Sequence, residues 1–459
     1  RRSSDLMPGA SLSRWTMAYF AAACAFLLIA EVLLTSGYGY PAGTIEAPPT
    51  LVVVHLLTVG WFGLLMSGAL LQFVPVLVAQ PLRWGVLALP ALATIVLGDI
   101  SLVGGFASFG NGAVIAGPLL SLGGLALTTG YLAIAGIVGR TLAGARPLAL
   151  PARFVALSLT ALVATLGLGM LFALVLSGYL PPAVGAFLPD ALPLHAALGL
   201  GGWLTVSAIG VSYRLLPMFL LAPDSAGRSA APVWWAAGCA ILLLFVAIFL
   251  VAAGLSGVTR VLAAVLTVSL VGLGLYGLDL VAIYRARRRP RLELNSLAGL
   301  AAFLALFLGA LWLALAAILG RLASDIGAIV YLLGFGWLTG LGLAKLYKII
   351  PFLTWLECYG PVLGRTPTPR VQDLVSETRA RFWFLLFHLA VLGAAAALAL
   401  HQASMFRAAS GLQLAMTVAL VTEFLRARAL AEIAPDKRLP DGAIRPNLFL
   451  PSFHPTRST

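Results

Sequence analysis

The chain has 459 residues, 61% of them apolar or aromatic and only 10% charged, with a mean hydropathy of +1.01. That excludes an ordinary soluble enzyme, in which about a quarter of residues are charged. The formal charge of +13 suits a membrane protein whose loops obey the positive-inside rule. A nucleic-acid role needs basic residues gathered on one face with aromatic platforms, and the arginine run from Arg285 to Arg291 reads better as a loop flanking membrane spans. Cys24, Cys239 and Cys358 have no paired spacing and no CxxC, so they read as packed thiols rather than as disulfides or metal ligands.

A helix spanning a bilayer needs about 20 mostly apolar residues, and twelve such segments follow one another. They run Met17 to Ser36, Thr50 to Ala79, Trp84 to Phe106, Val114 to Val138, Phe154 to Leu176 and Leu192 to Leu221. The second half adds Val233 to Ala253, Val261 to Tyr284, Leu297 to Leu319, Ile326 to Leu353, Phe382 to Leu400 and Met405 to Phe424. Prolines punctuate the connections, and glycine is frequent inside the spans, as close helix packing in lipid requires. No small-residue cleavage site follows the first segment, which is expected to stay as a span. The expectation is an all-α polytopic membrane protein, one transmembrane domain over 1–459 with 431–459 as a cytoplasmic tail. With the N-terminus placed inside, every Lys and Arg except Arg260, Arg321 and Arg407 falls on the inner side. This predicts that both termini are cytoplasmic, in an inner (plasma) membrane of prokaryotic type. The run from Arg285 to Arg291 reads as a topogenic loop beside anionic lipid.

An internal repeat carries the most information. Segment two reads HLLTVGWFGLLMSGALLQFVP, segment six HAALGLGGWLTVSAIGVSYRLLP and segment ten VYLLGFGWLTGLGLAKLYKIIP. Each has a Gly-Trp pair, Gly60 and Trp61, Gly202 and Trp203, Gly336 and Trp337. A proline follows fourteen residues after each Trp, at Pro75, Pro217 and Pro351. Eleven residues past each Trp stand Gln72, Arg214 and Lys348, long polar side chains suited to snorkelling. Three four-helix units follow, over approximately 15–140, 152–285 and 294–430.

Twelve helices with both termini inside and related helices two, six and ten resemble the catalytic subunit (subunit I) of haem-copper oxidases and nitric oxide reductases. The stretch His195 to Pro217, ending in SYRLLP, is similar to members on the nitric oxide reductase side. The resemblance implies a pseudo-threefold arrangement of three four-helix units enclosing three pores. It also implies a low-spin haem ligand on helix two, copper ligands on helices six and seven, and one histidine for each haem on helix ten. Residue by residue the match is partial. His55 stands where the family carries its low-spin haem ligand and His195 at the depth of a copper ligand, both in the outer half of the membrane. Segments seven and ten contain no histidine, and Tyr331 occupies the position six before Trp337. His388, His401 and His454 have no spacing that replaces the missing ligands. A copper site of three histidines and a binuclear centre are therefore not expected; His55 and His195 are the candidate ligands for a haem b or for a metal, copper included.

Those two histidines keep three readings: metal or haem ligand, interface histidine bonded to a carbonyl, or proton or substrate contact. They lie six and eight residues before their Trp, and two residues on a helix is about 200° of rotation. Either both face one shared space or each faces a different one; a cofactor favours the first. Glu31, Asp99 and Tyr331 are candidate proton or polar groups. Glu31, Asp99, Asp279 and Glu423 are all near enough to an interface to snorkel or pair with Arg or Lys. The loop from Thr354 to Arg381 is the expected docking surface. No Walker loop, GxSxG or HExxH is present. The function classes are a haem- or metal-binding or structural subunit of a respiratory or nitrogen-oxide-related complex, with lipid and other subunits as partners, or a repeat-built transporter or permease. An oxidoreductase with unrecognised ligands is a weaker third, so the chain is read as lacking a complete catalytic centre.

Overall fold

The computed structural model describes residues 15–223 and 228–439. They form twelve helices long and apolar enough to cross a membrane: α1 (Thr16–Ser36), α2 (Pro48–Val78), α3 (Gly85–Gly110), α4 (Ala116–Ala143), α5 (Leu150–Leu176) and α6 (Leu188–Leu220), then α7 (Ala230–Ala252), α8 (Val258–Arg285), α9 (Leu294–Ile318), α10 (Leu322–Val362), α11 (Glu377–Ala399) and α12 (Ala403–Arg428). No β-strand occurs among the described residues. The protein is a polytopic all-α membrane protein, and its helices present apolar surface to lipid.

Several helices outrun their apolar segments. α5 and α6 begin earlier, at Leu150 and Leu188, with Pro151 and Pro189 in the first turn, where a missing N–H costs nothing. α10 continues nine residues beyond Leu353, because its polar end is held. Arg428 of α12 donates to the Thr354 hydroxyl at 3.1 Å and to Glu357 at 2.8 Å. Thr354 and Cys358 are buried, so the first part of the stretch expected as a loop, up to Val362, belongs to α10, and the connection to α11 is the shorter stretch 363–376.

The described residues divide into two compact units, one within 43–292 holding α2 to α8 and one within 15–42 and 293–439 holding α1 and α9 to α12. In the first, α3 and α4 pair closely, α4 packs on α5, α5 on α6 and α7 on α8. In the second, α1 lies on α12, α12 on α11 and α9 on α10.

The three repeat helices share a backbone feature. Leu56–Gly63 in α2, Ala197–Thr205 in α6 and Leu332–Thr339 in α10 are π-helical, each containing its Gly-Trp pair. A π-helix shifts the hydrogen-bond ladder to i→i+5 and is common at functional sites. Trp61, Trp203 and Trp337 are core residues, at 0%, 5% and 1% exposure, not interfacial anchors. The preceding glycines admit a neighbour: a Cβ on Gly202 would stand 2.7 Å from Ala161 of α5, and one on Gly336 2.8 Å from Ala305 of α9. In both cases the helix just before the repeat helix makes the close approach. After their prolines, α2 and α6 stop in the left-handed region at Ala79 (φ 50°) and Leu221 (φ 53°), while α10 runs on through Pro351. Gln72 is buried rather than snorkelling, and Lys348 pairs with Glu293 at 2.7 Å.

Candidate functional site

Within the unit of α2 to α8, α2 and α6 touch through their π segments. His55 is the last α-helical residue before the π segment of α2 and His195 the last but one before that of α6. The contact therefore places the two histidines at the same end of neighbouring π segments, His55 one residue and His195 two residues before its own.

Each ring is positioned by its own neighbours. His55 Nδ1 lies 2.8 Å from the Leu51 carbonyl, one turn back. A carbonyl only accepts, so Nδ1 carries the hydrogen and Nε2 keeps its lone pair. The same ring rests on Phe106 of α3 at 4.9 Å. His195 sits beside the Thr165 main-chain carbonyl of α5, with Phe172 of α5 edge-on at 5.4 Å. Its Nδ1 is enclosed and has no hydrogen-bond partner. A Cβ on Gly169 would come to 3.1 Å from His195 Cε1, so the glycine leaves the ring its place. Both histidines are half-buried, and Nε2 of His55 has no hydrogen-bond partner among the described residues.

Tyr131 of α4 joins the two π segments. Its hydroxyl donates to the Val59 carbonyl of α2 at 2.8 Å, and its ring meets Trp203 of α6 edge-on at 5.4 Å. A carbonyl has two lone pairs, so this side-chain donor ties α4 to the π segment of α2 at Val59. Asp99 lies on α3 seven residues before Phe106, two turns away on the same face. It is 0% exposed, and neither carboxyl oxygen has a hydrogen-bond partner. The expected escape to an interface or to Arg or Lys does not occur, and such a group is a functional candidate by default. Asp279 is engaged instead: it accepts from Tyr213 at 2.9 Å and from the Ser229 N–H, at the start of α7, at 3.0 Å.

No protein-family model matches this chain, and no curated protein does.

Among the described residues no group of three or more His, Cys, Asp or Glu is placed to hold a metal ion. His388 of α11, in the other unit, has an enclosed Nε2 without a partner and packs on Gly340 of α10, where a Cβ would stand 2.7 Å from its Cε1. Nothing in its spacing had marked it; the signal was Gly340 three residues after Trp337. His401 is exposed between α11 and α12, and His454 lies outside the described residues. Also in that unit, Glu31 of α1 and Tyr331 of α10 meet through Gln413 of α12. Glu423 pairs with Arg379, which also reaches Glu432 at 2.8 Å.

Proposed function

We propose that this chain is a divergent relative of the haem-copper oxidase and nitric oxide reductase catalytic subunits that holds one haem between His55 and His195 and has no binuclear centre. It acts as an electron-carrying or structural subunit of a respiratory or nitrogen-oxide-related complex, in a prokaryotic inner membrane with both termini cytoplasmic. The observation that carries the reading is the histidine pair on two touching repeat helices, each ring with one nitrogen unused. The donor set fits a haem better than a bare metal. The porphyrin brings four ligands of its own and asks two of the protein, whereas a copper or zinc site needs further side chains that are not near. When bound, such a haem supplies one-electron transfer. The protein's part is to hold it: the Leu51 carbonyl fixes the tautomer and direction of His55, as outer partners of ligating imidazoles do. Gly169 keeps space for His195, and Phe106 and Phe172 wall the rings with apolar surface.

The test is the absorption spectrum of the purified protein, with His55→Ala and His195→Ala. A low-spin haem band that is lost or becomes five-coordinate in both variants is expected. A spectrum free of haem, or one unchanged in both variants that remain folded, overturns the reading and favours the transporter or purely structural alternative.

A further inference from the structure

A second polar assembly lies in the unit of α1 and α9 to α12, and no part of the haem proposal uses it. Glu31 of α1 is 1% exposed. Its Oε1 accepts from Gln413 Nε2 at 2.7 Å and from the Thr417 hydroxyl at 3.0 Å, both on α12. Its Oε2 is enclosed and has no hydrogen-bond partner. Tyr331 of α10 donates its hydroxyl to Gln413 Oε1 at 2.7 Å, which fixes the amide with its oxygen toward Tyr331 and its NH₂ toward Glu31.

We propose that Glu31 is a reversible proton-binding site, with the proton on Oε2 and its presence sensed by α10 and α12 through Gln413 and Tyr331. The two oxygens of Glu31 are held unequally. A carboxylic acid has one carbonyl oxygen that accepts and one hydroxyl oxygen that carries hydrogen, and the two donors converge on a single oxygen. A carboxylate has two equivalent oxygens, and here one of them would be enclosed with nothing to offset its charge, which is costly. No Lys or Arg pairs with Glu31 among the described residues. The groups that face it are Tyr331 from α10 and the neutral Gln413 and Thr417 from α12, with Cys24 two turns back on α1. Arg407 of α12 is the near cation, and its guanidinium is committed to the Thr35 carbonyl at 3.2 Å.

Solvent is close. Glu31 stands five residues before Ser36, the end of α1, about 7 Å along the axis at 1.5 Å per residue. The proton comes from water at that end and returns to it, so no other reactant is needed. Tyr331 occupies the repeat position of His55, six residues before the Trp. Where α2 has an imidazole, α10 has a phenol wired to a carboxyl.

The experiment is infrared difference spectroscopy with pH steps on the full chain in lipid nanodiscs. A carbonyl-stretch band of a buried protonated carboxyl is expected to appear as pH falls, to vanish in Glu31→Gln and to persist in Asp99→Asn. It should shift in Thr417→Val, which removes a direct donor, and in Tyr331→Phe, which frees the Gln413 amide. Absence of the band, or its survival in Glu31→Gln, overturns the proposal; a band unmoved in Thr417→Val does so even if Glu31→Gln fails to fold. A band unmoved in Tyr331→Phe overturns the link to α10.

Discussion

Replacing Gly63 by alanine tests how the π segment of α2 is held. The added methyl would stand 1.9 Å from the Tyr131 hydroxyl oxygen and 2.9 Å from Cζ of the same ring. Tyr131 is 2% exposed and braced against Trp203, so the ring yields only by repacking, and the hydroxyl must leave the Val59 carbonyl. Losing that hydrogen bond costs about 1 kcal/mol, and the forced repacking adds about 1–3 kcal/mol. Tyr131→Phe carries the first cost alone. In the double variant the hydrogen bond is lost only once, so the double should be less destabilised than the sum of the singles by about 1 kcal/mol. Equilibrium unfolding of the three variants and the wild type in detergent micelles closes the cycle. Additivity within about 0.5 kcal/mol would refute the competition between methyl and hydroxyl on which the reasoning rests.

Three further outcomes are expected. Leu221→Gly, at an exposed left-handed helix end (φ 53°), should raise stability by about 1 kcal/mol by removing the Cβ clash, seen as a higher Tm; an unchanged or lower Tm contradicts it. Hydrogen bonds from Arg379 and Arg426 hold the Glu432 carboxyl below its ordinary range. The stability this confers is complete above the unfolded value of about 4.3 and is lost as pH falls through the lower folded value, so Glu432→Gln should flatten the acid limb of a stability-against-pH curve, and superimposable curves contradict this. The isolated chain should consume neither dioxygen nor nitric oxide above background in an electrode assay, because α7 and α10 carry no histidine and an open haem site facing a second metal needs ligands there; sustained consumption would show that other residues had replaced them.

The twelve spans were legible because apolar length is a direct physical requirement of the bilayer. The Gly-Trp repeat was legible because it is written in residue types at fixed spacing. The π segments were not: they differ from α-helix only in which carbonyl each N–H chooses, and Leu56–Gly63 or Leu332–Thr339 have the composition of ordinary membrane helix. The end of α10 was hidden because the groups that extend it, Glu357 and Arg428, are far apart in the chain. His55 and His195 could be picked as intramembrane imidazoles, but their placement on touching helices depends on α2 packing against α6. Glu31 and Tyr331 were both visible as polar groups, yet Gln413, the residue that joins them, lies 382 positions from Glu31, and no periodicity links such a pair. Asp99 was expected to find a cation or an interface, and the packing of α3 gives it neither.

The most direct test of the central claim is the low-temperature electron paramagnetic resonance spectrum of the oxidised protein after saturation with haem. If His55 and His195 hold one iron between them, the spectrum is that of a single low-spin bis-imidazole haem per chain, and it converts to a high-spin form in either alanine variant. A high-spin signal in the wild type, or failure of the folded protein to take up haem at all, would contradict the account.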